Sequence, residues 1–144
     1  MKIKSALSMA PVAEVVFVSC KVKQVGLQYM SDLTYSLDED VVIKSTQSTP
    51  KLISTLEEIV PKLTKRTFVI IHPWEFLKTL CETDFDYVGL MEKLVRDTLV
   101  TIVVFHKPSV FKYNETYHPK LKSKIKTAYR LSQTEFARTI VRIK

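Results

Sequence analysis

Three groups of residues have types and spacings that could do chemistry. The first is a pair of histidines. His72 closes the apolar run Phe68-Val69-Ile70-Ile71, and His106 closes Ile102-Val103-Val104-Phe105; a proline follows each, Pro73 and Pro108. If both runs are neighbouring strands of a parallel sheet, both imidazoles lie at its carboxyl edge, where open α/β sheets bind ligands. His72 and His106 are therefore a candidate ligand edge, serving a small enzyme or part of a metal site. A zinc site wants a third protein ligand, and no spacing supplies one. The competing reading is a pair of strand-end histidines bonded to backbone. The second group is the segment 107–126. It combines Lys107, Lys112, Lys120, Lys122, Lys124 and Lys126 with Phe111, Tyr113 and Tyr117. Cations neutralise phosphates and release counterions, and aromatic rings offer stacking platforms for unpaired bases. The competing reading is a solvated surface loop.

The third group is scattered. The acids Asp38-Glu39-Asp40, Glu57-Glu58, Glu82, Asp84 and Asp86 read as turn, helix and loop surface. No GxSxG elbow is present. Cys20 ends an apolar run and Cys81 follows a helical stretch; with neither in a CxxC pair, both read as buried thiols. Trp74 could anchor a partner or pack on the sheet end.

The elements that must position these groups follow from hydrophobic period. Val15-Val16-Phe17-Val18, Val41-Val42-Ile43, Phe68–Ile71 and Ile102–Phe105 are continuous apolar runs of strand length. Helical spacing covers Lys21 to Leu37, with Val22, Val25, Tyr29, Leu33 and Leu37 near one face. A second helix starts at Thr49-Pro50 and carries Leu52, Ile53, Leu56, Ile59, Val60 and Leu63, with Pro61 ending or bending it. Trp74 to Leu80 reads as a short helix and Tyr87 to Leu99 as a longer one. After a long basic loop with a short helix near Leu121–Lys126, Thr127–Ser132 and Phe136–Ile143 read as an antiparallel hairpin. Continuous apolar strands alternating with helices predict an α/β fold, a mainly parallel sheet flanked by helices, closed by that hairpin.

Length and charge narrow the function classes. The chain has 144 residues, 46% hydrophobic and 26% charged, with two glycines, which is a globular composition. One domain over 1–144 is expected, with a basic loop at 107–126 and a hairpin at 127–143. Net charge is +7. Residues 107–144 hold ten Lys/Arg against two acids, Glu115 and Glu135, so the preceding part is close to neutral. Such asymmetry points to a polyanion; a lysine-rich solvated face is the bland alternative. No apolar run approaches the roughly 18 residues that span a bilayer. With no signal peptide visible and no disulfide pattern, a reducing, intracellular (cytoplasmic) compartment is expected.

The order of these elements resembles the RecA-like ATPase core, especially its RadA/KaiC branch. Lys4-Ser5-Ala6-Leu7-Ser8-Met9-Ala10 looks like the end of a P-loop running into its helix. Val15–Ser19 looks like the strand carrying that family's catalytic glutamate, and Phe68–His72 like its Walker B strand. Val103–His106 looks like the next strand, and Ala128–Leu131 with Arg138–Lys144 like the closing hairpin. The resemblance implies a three-layer RecA-like domain, with the loop after the fourth strand entering a DNA channel. The departures carry chemistry. No GxxxxG precedes Lys4, although a phosphate cradle needs glycines. His72 stands where an acid should help hold magnesium, and Ser19-Cys20-Lys21 stand where a glutamate should polarise water. The resemblance thus implies a member without catalytic residues, metal or cofactor. It would bind DNA, single-stranded, beside an active RecA-like recombinase or a copy of itself, as an accessory in recombination or repair. Lys4 and Ser5 could retain a phosphate contact. The alternative is a protein–protein scaffold subunit of such an assembly.

Overall fold

In the computed structural model, residues 10–37, 42–43, 49–71, 80, 82–107, 119–133 and 138–144 are described. The strands are β1 (Glu14–Cys20), β2 (Val42–Ile43), β3 (Thr67–Ile71), β4 (Val100–His106), β5 (Thr127–Gln133) and β6 (Arg138–Arg142). The helices are α1 (Lys23–Leu37), α2 (Thr49–Ile59), α3 (Tyr87–Val95) and α4 (Pro119–Lys122). The strands form one sheet in the order β2-β3-β4-β1-β5-β6. Every pairing is parallel except β5 with β6. The expected α/β architecture with a terminal antiparallel pair is therefore present.

The sheet is covered on both faces because its central strands have no polar face to offer water. β1 alternates its side chains between two cores. Val15 and Phe17 join Leu52, Ile53 and Leu56 of α2, Val88, Met91 and Val95 of α3, and Leu121 of α4. Val16, Val18 and Cys20 join Met30 of α1 with Phe105 and Tyr129. This segregation follows from chain path. The crossover from β1 leads to the β2 edge, and the crossovers after β2, β3 and β4 lead back across the sheet. A constant right-handed sense then puts α1 on one face and the remaining helices on the other.

Local chemistry sets the boundaries. α2 ends at Ile59 and tightens into a 3₁₀ turn, Val60–Lys62, around Pro61, which cannot donate to an α-helical ladder. α3 starts at Asp86, whose carboxylate accepts the Gly89 N–H at 3.0 Å. It stops at Val95, short of the expected Leu99, because Asp97 takes a left-handed φ of 60°. Thr98 then donates its hydroxyl to the Val95 carbonyl at 2.6 Å, and Leu99 is left 48% exposed. The expected α1 begins at Lys23 rather than Lys21, so Val22 lies outside the buried stripe and is 52% exposed. At the amino-terminal end of the sheet, the Arg66 guanidinium donates to Thr101 Oγ1 and the Ala10 carbonyl, both at 2.6 Å, and lies 4.2 Å over the Phe68 ring.

Gly26 is needed for close approach. A Cβ built there would lie inside the van der Waals envelope of the Phe105 ring. Alanine normally favours a helix over glycine by about 1 kcal/mol; here the overlap reverses the sign. Gly26→Ala is expected to destabilise the protein by about 2 kcal/mol, measured by urea unfolding. Adding Phe105→Leu should recover part of that loss.

Candidate nucleic-acid interface

Strand register sets the site. Ser19 of β1 lies beside His106 of β4 on one side and Arg130 of β5 on the other. These three make a cross-strand row near the carboxyl ends of the parallel strands, spanning roughly 10 Å at ordinary strand spacing. Lys107 follows His106, and Lys21 lies two residues beyond Ser19. Lys23 opens α1. Lys21, Lys23, Lys107 and Arg130 are all exposed. Among the described residues, none of the four has an ion-pair partner. β1 and β4 are adjacent, yet the connection after β1 leaves over the α1 face. The connection after β4 arrives on the opposite face, where Leu121 and Ile125 are buried. Open α/β sheets bind ligands at such a reversal.

The two buried members of the row are structural. His106 is fully buried. Its Nδ1 donates to the Lys107 carbonyl at 2.6 Å, and its ring meets Phe17 edge-on with centroids 6.2 Å apart. Burial disfavours the imidazolium and pulls its pKa down to about 4, against a smaller opposing effect of the Lys107 carbonyl. Ser19 is buried and its hydroxyl lies 3.5 Å from the Tyr129 carbonyl. His106 is therefore a neutral strand-end histidine bonded to backbone. His72 lies outside the described residues, as do Lys4, Ser5, Trp74, Cys81, Phe111, Lys112, Tyr113, Tyr117 and His118. Cys20 is a buried thiol, its Sγ 3.2 Å from the Val22 carbonyl, and burial pushes its pKa up.

The described lysines of the basic segment do not line one free side. Lys120 sits on α4, its side chain outside the described residues, and Lys122 is exposed. Leu121 and Ile125 turn inward to the core. This anchoring lays the next lysines along α3. Lys124 pairs with Asp86 and Lys126 with Glu92, each at 3.3 Å. Asp86 is thus more than solvated surface. The Gly89 N–H foremost, and then Lys124, hold its carboxyl below the usual range. Exposed cations without an ion-pair partner among the described residues lie instead at Lys107 and at three residues that reading by segment missed, Lys21, Lys23 and Arg130. Their signal was position, immediately beyond or within the apolar strands, not local density.

The geometry defines an open α/β sheet with a cationic carboxyl edge. It is suited to holding a polyanion and, among the described residues, holds no cluster of three His, Cys, Asp or Glu able to bind a metal. Nor is any described helix long and apolar enough to cross a membrane. No protein-family model matches the chain, and no curated protein matches it.

The buried His106 gives a pH prediction. Its folded pKa of about 4 lies below the unfolded value near 6.5. The unfolded chain therefore binds the proton first on acidification. Stability is fully present above pH 6.5 and is lost as pH falls towards 4, by about 3 kcal/mol from this group. His106→Asn, which keeps a donor for the Lys107 carbonyl, should flatten that part of the pH profile in denaturant titrations relative to the parent chain.

Proposed function

We propose that this chain is a non-catalytic RecA-like paralogue that binds single-stranded DNA as an accessory in recombination or repair. The observation that carries the reading is the exposed cationic set Lys21, Lys23, Lys107 and Arg130, without ion-pair partners among the described residues and set by register close to the carboxyl ends of β1 and β4. Three of the four come from outside the basic segment, so two independent sources of positive charge converge on one end of the molecule. Lys107 also begins, in sequence, the segment that holds Phe111, Lys112, Tyr113 and Tyr117, whose aromatic rings are of the type that stacks on unpaired bases. Lys122 is a further exposed contact. Lys124 and Lys126 contribute less, because Asp86 and Glu92 already offer them carboxylates.

A second reading, a scaffold subunit acting through protein contacts, is favoured by a different observation. Val141 and Ile143, at and just beyond the end of edge strand β6, are 50% and 38% exposed. Exposed apolar side chains on a terminal strand invite pairing with another chain.

The deciding experiment is fluorescence anisotropy with a labelled oligothymidine at low and moderate salt. Three or four phosphate contacts predict a log–log salt slope of roughly −2 to −3. The triple variant Lys21→Glu, Lys107→Glu, Arg130→Glu should weaken binding at least about tenfold and flatten the slope. Glu92→Gln, which releases Lys126, should strengthen binding slightly. Absence of binding at low salt would remove the nucleic-acid reading, and light scattering of the same sample would then test for assembly.

A further inference from the structure

The edge of β6 away from β5 has a pattern of its own. β6 ends the sheet order, and among the described residues it pairs with β5 alone. Ile143 donates its N–H to the Ala128 carbonyl at 2.8 Å. By the two-residue alternation of an antiparallel ladder, the N–H and C=O of Val141 then face β5, and those of Ile140 and Arg142 face outward. Val141 stands opposite Arg130, and Arg142 opposite Tyr129. Side chains directly opposite share a face. Val141 and Ile143 therefore present exposed apolar surface on the face carrying α2, α3 and α4, while exposed Arg142 projects on the α1 face.

We infer that β6 is a docking edge for an extended acidic segment of a partner protein, added as a further strand with apolar and acidic residues alternating. The alternation specifies the guest. Its apolar residues would lie beside Val141 and Ile143, and its carboxylates beside Arg142, on the opposite face. Main-chain bonds to Ile140 and Arg142 supply affinity, and the two faces supply selectivity. A second copy of this chain is disfavoured. Antiparallel self-pairing centred on Ile140 sets Arg138 against Arg142, and like charges directly opposite are destabilising. The inference gives chemistry to the partner in the scaffold reading and rests on that reading; it does not require nucleic-acid binding.

The test uses a fluorescein-labelled heptapeptide of alternating Glu and Val. Its two controls carry Lys in place of Glu, or N-methyl groups on alternate amides. The Glu peptide is expected to bind with micromolar affinity, N-methylation to weaken it by about tenfold or more, and the Lys peptide to bind at least about tenfold more weakly. Hydrogen exchange should show new protection at the Ile140 and Arg142 amides. Arg142→Glu should reverse the preference between Glu and Lys peptides. Lys21→Glu with Lys107→Glu should leave peptide binding intact whatever it does to DNA binding, which separates failure of this inference from failure of the nucleic-acid reading. Equal binding of methylated and unmethylated peptides would reduce the contact to charge alone and overturn the proposal. So would absence of binding, or a dimer abolished by Arg142→Glu.

Discussion

Everything in this molecule depends on the burial of β1 and β4 on both faces. From Val15 to Val18 and from Ile102 to Phe105 no side chain can face water without exposing apolar surface, and every one of these residues is buried. An antiparallel sheet with one wet face cannot satisfy such strands. Helices must cover both sides, so the chain must cross the sheet in both directions. α1 takes one face; α2, α3 and α4 take the other. The connections after β1 and β4 then leave over opposite faces of the sheet.

That constraint also sorts the polar residues. A sheet sealed on both faces leaves charge only at strand ends and edges. Ser19 and His106, the last side chains of their strands to remain inside, are buried and bonded to backbone. One position further on, the chain becomes cationic at Lys107 and, after Cys20, at Lys21. Arg130 breaks the pattern within β5, and it can do so because β5 is covered on that face only as far as Ala128. The buried histidine adds no charge near neutrality.

Much of the fold was legible because the strand signal is local. Four β-branched or aromatic residues in succession can be read without knowing their neighbours, and β1, β3 and β4 fall where those runs lie. Helix ends were less legible. The left-handed turn at Asp97 truncates α3 although the apolar period continues to Leu99, and Asp86 was read as surface although aspartate before an apolar helix is a favoured cap. The site was the least legible part. Counting lysines along 107–126 treats charge as a property of a segment. The structure distributes it by topology: Leu121 and Ile125 pull that segment onto α3, where Asp86 and Glu92 meet Lys124 and Lys126. Meanwhile Lys21, 86 residues before Lys107 in sequence, reaches the same sheet end because β1 and β4 pair in parallel.

β5 separates the two surfaces by face. Arg130 continues the row of Ser19 and His106 and stands opposite Val141, on the face of α2, α3 and α4. Arg142 stands opposite Tyr129, on the face of α1. A polyanion along the carboxyl edge and the carboxylates of a strand added to β6 would therefore meet different guanidiniums on opposite faces of the sheet. Like charges kept apart by the thickness of a sheet repel far less than charges within a few ångströms, so the two occupants need not compete for one cation. The sheet order sets that separation, because β5 is the strand shared by the central parallel ladder and the terminal antiparallel pair.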